Sequence, residues 1–142
     1  MRHWKTALIS LPFVLATINS IQAATPGEEL LQASGVKGGI VVHLGCGDGR
    51  TTAALHASDR FLVCGLDTDA DKVQQAKAHI DSRGLYGKVS AERYDGKNLP
   101  YGDNIVNLIV LGSQCQVARE AISIGLVPGG VSFHVHPAPR NS

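Results

Sequence analysis

The chain has 142 residues, of which 44% are hydrophobic and 18% charged, and its formal charge is +1. That length suits one domain; the composition excludes a disordered polyelectrolyte, and the lack of any Lys/Arg run leaves no nucleic-acid signal. Three cysteines cannot form a disulfide framework, and sixteen glycines beside three Phe, three Tyr and one Trp suit a loop-bearing α/β domain.

Residues 1–24 read as an export signal rather than as fold. Arg2 and Lys5 form a short basic start, and Ala7 to Ile18 is an apolar stretch interrupted by Pro12. Ala23 and Ala24 supply the small residues a signal peptidase needs. The apolar stretch is short for a bilayer span, so no membrane span is expected after cleavage; a non-cleaved anchor is the alternative. Cleavage would leave 11 basic against 12 acidic side chains and a formal charge of −1 on an exported, periplasmic or secreted domain. Cys46, Cys64 and Cys115 are an odd set without CxxC spacing, so at least one is free or pairs with another chain, and small buried residues are the expected role.

Thr25-Pro26-Gly27-Glu28 has the form of a capping box with proline at the first helical position, and Gly35 stops the helix that follows. Ile40 to Leu44 is a continuous apolar run, expected to be a strand buried on both faces. Gly45 to Gly49 is a glycine-rich turn, and Thr51 to Ala57 reads as a short helix. Phe61 to Leu66 is a second buried strand, ended by Asp67. From Asp69 to Arg83 the spacing of Val73, Ala76 and Ile80 predicts a helix, with Gly84 as its C-terminal cap.

A third strand is expected over Lys88 to Tyr94, before Asp95-Gly96, and a fourth over Asn104 to Leu111. A helix over Gln116 to Ile124 is capped by Gly125, and Pro128-Gly129-Gly130 turns into a fifth strand over Val131 to Val135. The tail over residues 137–142 lacks periodicity and is expected to be disordered. Strands alternating with helices through short connections predict a Rossmann-like, doubly wound, mostly parallel sheet over residues 25–136.

Chemistry concentrates in Leu44-Gly45-Cys46-Gly47-Asp48-Gly49-Arg50. Three alternate glycines after a buried strand permit an unusual turn and let a ligand approach the main chain. Asp67, eighteen residues after Gly49, ends the second strand, where this topology places an acidic group on ribose hydroxyls. Arg50 stands where a nicotinamide-binding G-x-G-x-x-G would have its third glycine, which argues against a dinucleotide. His43 reads as a satisfied core histidine and Cys46 as a small spacer. His134 and His136 alternate on a strand without a third metal ligand nearby in sequence. Tyr101 and Asp103 belong to a polar loop that could border a cleft.

The set resembles the class I S-adenosylmethionine-dependent methyltransferases, in the type 11/25 style. Gly45, Cys46, Gly47, Asp48 and Gly49 resemble the first motif; Gly65 to Asp69 resembles the following acidic loop, and Asn107 to Val110 the fourth-strand motif. Leu126 to Val131 resembles the L-x-P-G-G hairpin before the fifth strand. The resemblance spans about residues 28–136 and implies S-adenosylmethionine as cofactor. It implies the methionine end at the glycines, the ribose at Asp67 and Thr68, and the adenine edge at Asp95 and Gly96. Together with the export signal and Gly84 to Val89, the first motif also resembles exported bacterial proteins carrying such a domain ahead of a pyrroloquinoline-quinone-type β-propeller.

The chain departs from the family in two places. Only five of seven family strands are recognisable, so a truncated chain and a missing C-terminal domain are expected, with the fifth strand as an exposed edge. Asn107 stands where family members often carry an acid, and no residue is identified as a catalytic base. Methyl transfer to an unassigned acceptor is one reading. A non-catalytic exported binding or interaction module, or a remnant of a longer protein, is the other.

Overall fold

Two periodicities build the fold: buried runs of β-branched and leucine residues make strands, and residues spaced by three or four make one-sided helices. The computed structural model describes residues 26–113, 115, 117 and 119–135. The expected export signal, Thr25 of the capping box, His136 and the tail lie outside the described residues. The elements in order are α1 (Pro26–Ser34), β1 (Gly39–Leu44), α2 (Arg50–Ala54), β2 (Phe61–Asp67) and α3 (Ala70–Ser82). They continue with β3 (Val89–Arg93), β4 (Val106–Leu111), α4 (Arg119–Gly125) and β5 (Leu126–His134).

The strands form one sheet in the order β3-β2-β1-β4-β5, with every pairing parallel. The Rossmann-like fold read from the sequence is the one observed. The central strands carry side chains alternately to two cores, because successive residues of a strand point to opposite faces. Val41, Leu108 and Val110 join Leu31, Leu55, Val73, Ala76 and Ile80 on one face. Val42, Leu44, Ile109 and Leu111 join Leu66, Val106 and Ile122 on the other.

The helix α3 buries Val73, Ala76 and Ile80, the face its spacing predicts. Asp69 caps it by accepting the N–H groups of Asp71 at 2.9 Å and Lys72 at 3.4 Å. Gly84, at φ 66, ends it: its N–H donates to Asp81 O and that of Leu85 to Ile80 O. Leu85 then packs on the first core. Such closure fixes where β3 begins.

Four elements differ from the sequence reading by more than one residue at an end. α2 is shorter, five residues from Arg50. Asn104 and Ile105 precede β4 rather than opening it, because Asn104 adopts a left-handed φ of 56 and Ile105 stays 42% exposed. α4 begins at Arg119, and Gly125 is its last residue rather than its cap; Gln116 and Ala118 lie outside the described residues. Pro128-Gly129-Gly130 does not precede β5 but lies within it. Val106 pairs with Leu126 and Leu108 with Val131, so the segment forms a bulge, which accommodates a proline without a ladder N–H. β5 is the sheet edge, bonded to β4 alone among the described strands, as the expectation of an exposed fifth strand had it.

Candidate functional site

A cleft of about 530 Å³ opens at the carboxyl ends of β1, β2 and β4, where the strand order reverses between β1 and β4. Gly45, Gly47, Asp67, Thr68, Lys72, Tyr94, Gly96, Ser113 and Cys115 line it. The glycine turn is held to β2 by its main chain. The N–H groups of Gly45 and Cys46 donate to Leu66 O at 2.7 and 3.2 Å, and that of Gly49 to Cys46 O at 3.0 Å. Gly45, Gly47 and Gly49 all have positive φ, at 74, 56 and 82, which a side chain rarely tolerates.

The Asp67 carboxylate ties the turn to the second strand. Oδ2 accepts the Gly47 N–H at 3.1 Å, and Oδ1 accepts the Asp69 N–H at 3.0 Å. Although Asp67 is only 7% exposed, it borders the cleft, and each oxygen keeps acceptor capacity for a further donor. Lys72, on the first turn of α3, stands at the rim as the cleft's cation among the described residues.

The turn's other residues face elsewhere. Cys46 is buried in the first core, against the space over Gly65, where an added Cβ would come within 2.7 Å of the Cys46 Cβ. Burial, then the Asp67 charge, pushes its thiol up to about 12, so it stays protonated. Asp48 points to solvent, accepting the Arg50 N–H at 3.1 Å and pairing with Arg50 Nε at 3.3 Å. Gly49 packs on α3, where a Cβ would lie 2.8 Å from the Ala76 Cα.

The buried His43 bonds Thr52 Oγ1 through Nδ1 at 2.8 Å, beneath the cleft on the first-core face. Desolvation lowers its pKa to about 4 against the opposing pull of Asp67, so the imidazole is neutral at pH 7. This is the satisfied core histidine expected from the sequence. The exposed His134 ends β5, and among the described residues no three His, Cys, Asp or Glu side chains come together as metal ligands.

Asp95 is exposed and does not line the cleft, whereas Gly96 beside it does. Tyr101 packs on the second core near Cys64, and burial raises its phenol; Asp103 is exposed, and neither borders the cleft. All three cysteines are free.

Asn107 requires a correction. It lies at the amino end of β4, four residues before Leu111, and so about 13 Å of strand from the cleft. Its Oδ1 accepts the Ile40 N–H at 3.0 Å, closing the amino end of the β1–β4 pair. An amide serves that role as an acid would, so Asn107 carries no weight against catalysis.

The sequence reading missed four lining residues. Ser113 and Cys115 follow β4 by two and four residues, and Tyr94 follows β3 directly. The rule that ligands sit at the carboxyl ends of parallel strands could have found them. Lys72 carried no such sign, since it faces away from the buried stripe of its helix. Tyr94 Oη and Cys115 Sγ lie 3.6 Å apart, and burial pushes both groups above their ordinary pKa values.

The chain matches known proteins over this same region. A family profile described as a methyltransferase domain matches residues 41–126. Methyltransferase GfsG of Streptomyces halstedii is 31% identical over 97 residues, covering 63% of this chain and 34% of that protein. Among solved structures, a candidate S-adenosyl-L-methionine-dependent methyltransferase of Methanococcus maripaludis is similar at a TM-score of 0.70 and 23% identity. That match covers 76% of this chain and 52% of the other. Geranyl diphosphate C-methyltransferase of Streptomyces coelicolor, solved with S-adenosyl-L-homocysteine, gives 0.68 and 17%, over 76% and 43%. The chain thus spans about a third of the curated relative and about half of these two structures. With the glycine turn, Asp67 and the cleft on the matched segment, the chain belongs to the methyltransferase domain family.

Proposed function

We propose that the cleft binds S-adenosylmethionine and its demethylated product, and that the domain takes part in methyl transfer. The observation that carries this reading is the Asp67 carboxylate, fixed by the Gly47 and Asp69 amides at the carboxyl end of β2. The two oxygens are oriented before a ligand arrives and can each accept one of two vicinal ribose hydroxyls. Gly47 has no atom within 4 Å of the position its Cβ would take, so the main chain there is open to close approach. The cleft volume lies within the range of small-molecule sites. The cofactor, when bound, supplies a methyl group on a sulfonium leaving group. The residues of the chain hold the nucleoside and shape the turn beside the methionine end.

Titration of the full chain by calorimetry tests the reading. S-adenosylmethionine and S-adenosylhomocysteine are expected to bind, and Asp67→Ala is expected to weaken both by at least about 30-fold, or ~2 kcal/mol. A folded chain that binds neither overturns it.

A non-catalytic exported binding module is the second reading, favoured by the protonation of Tyr94 and Cys115. A phenol and a thiol are ordinarily protonated at neutral pH and burial raises each further, so neither cleft group is a ready base. An acceptor that is already nucleophilic needs positioning alone, and release of labelled methyl to product separates the two readings. Export itself is proposed from Arg2, Lys5, the apolar stretch over residues 7–18 and Ala23-Ala24. Among the described residues no helix is long and apolar enough to cross a membrane. N-terminal sequencing of the product from the culture medium or periplasm tests it, since a start at Met1 inside the cell would contradict it.

A further inference from the structure

The two faces of the sheet are covered unequally. Leu31 of α1, Leu55 after α2 and the buried stripe of α3 pack on the first core. On the second face α4 packs through Ile122. The connection from β3 to β4, residues 94–105, crosses that face as an irregular segment, where parallel strands are usually joined by a helix. It covers the face with Leu99 and Tyr101 and leaves Leu62 51% exposed.

Three of the four large hydrophobic side chains exposed among the described residues, Leu62, Ile105 and Ile124, gather at the amino end of the sheet. Leu62 pairs in register with Ile40 of β1, and β4 is the next strand over. Ile105 directly precedes β4; its N–H donates to Gly125 O at 3.2 Å and that of Asn104 to Ile124 O at 2.9 Å, so Ile105 adjoins Ile124. The apolar patch thus runs across β2, β1 and β4 to the end of α4, on the opposite end of the sheet from the cleft. Contiguous exposed apolar surface of this kind marks an interaction site.

Its two ends differ in shape and in charge. At the β2 end is a hollow of about 250 Å³, lined by Ile40, Leu62, Cys64, Lys88 and Ser90. At the other end Ile124 is 56% exposed, two residues and so roughly 200° round the helix from the buried Ile122, and it stands out from the face. The hollow carries the Lys88 ammonium, held by its own chain only at 3.8 Å from Asp59. The protruding end carries Asp103, which is exposed and in no ion pair among the described residues. A hollow with a cation at one end and a knob with an anion at the other make a surface complementary to itself after half a turn.

We infer that this face joins two copies of the chain about a two-fold axis. Ile124 of each copy seats in the Ile40–Leu62 hollow of the other, α4 covers the partner's bare strands, and Asp103 meets the partner's Lys88. The contact is isologous, so one substitution removes it from both halves.

Sedimentation equilibrium of the full chain is expected to give twice its mass, with a dimer Kd of about 10 μM or tighter. Leu62→Asp and Ile124→Asp each place a charge on an exposed side chain outside the cleft. Either is expected to raise the dimer Kd by at least about 100-fold, with the circular dichroism spectrum unchanged. Lys88→Glu and Asp103→Lys should each weaken the dimer by about fivefold, and the two together should restore it to within about twofold, because the reversed pair attracts again.

A chain that stays monomeric at every concentration overturns the inference; a lowered urea midpoint in Leu62→Asp would then mean that residues of the same chain cover the face. A dimer that survives both Asp substitutions places the contact elsewhere, and assembly beyond two copies excludes a closed two-fold contact; each overturns it. Charge reversal without restoration overturns it too. Should Leu62→Asp fail to fold, Ile124→Asp, on the outer side of α4, decides in its place.

Discussion

Glycine stands at both ends of β1, and the surroundings of the two ends are opposite. At the amino end a Cβ on Gly39 would collide with Asn107 Oδ1, which already bonds the Ile40 N–H. At the carboxyl end Gly47 has positive φ as well, yet nothing lies within 4 Å of where its Cβ would be. The first glycine is filled by the protein, and the second faces an open cleft beside a fixed carboxylate. A glycine is therefore a pointer to a ligand only when the space it leaves is not used by the fold. The same contrast explains why Asn107, though in a motif position, is structural.

The contrast can be broken by substitution. Gly39→Ala is expected to destabilise by about 3 kcal/mol, read as a urea midpoint shift, because a clash is added to an unfavourable φ. Combining it with Asn107→Ala should recover about 1 kcal/mol of that loss, since the colliding oxygen is gone. No recovery would place the strain in the backbone alone.

His43, between the two ends, predicts a pH effect of similar size. Its folded pKa is about 4 against an ordinary 6.5, so the unfolded chain takes up the proton first as pH falls. This contribution to stability is complete above pH 6.5 and declines by about 3 kcal/mol as pH drops to 4. His43→Gln should remove that slope from a series of urea titrations between pH 7 and 4. A slope that survives in the variant would assign the acid sensitivity to other groups.

Gly47→Ala should behave unlike Gly39→Ala. With open space around it, the variant is expected to lose only about 1–2 kcal/mol of stability, from the positive φ. Its affinity for S-adenosylhomocysteine should fall by tenfold or more, roughly 1.4 kcal/mol. Equal affinity in variant and parent would mean that the ligand does not approach this main chain. Asn107→Ala is the smallest case: about 1 kcal/mol of stability lost with the Ile40 hydrogen bond, and ligand affinity unchanged within error.

Much of the architecture was legible because its causes are local. The buried runs from Ile40 and Phe61, and the stripe of Val73, Ala76 and Ile80, were read from spacing and reappear as β1, β2 and the buried face of α3. Legibility failed where pairing overrides local preference. Pro128-Gly129-Gly130 is a turn by composition, yet β4 recruits it into β5 as a bulge. Asn104 and Ile105 look like strand residues, but a left-handed Asn104 delays β4.

The site divides in the same way. Gly45, Gly47, Gly49 and Asp67 announced themselves because a tight turn and a strand-end acid leave marks in a short stretch of sequence. Whether each faces a ligand is a question of direction, which spacing does not encode. Only the tertiary structure turned Cys46 into the core, Asp48 to solvent and Asp95 into its own loop, while gathering Lys72, Tyr94, Ser113 and Cys115 from three separate segments. The sequence by itself determined the strands, the turn and the family, since these depend on neighbours along the chain. The cleft depends on which strands lie side by side, and long-range packing alone decides that.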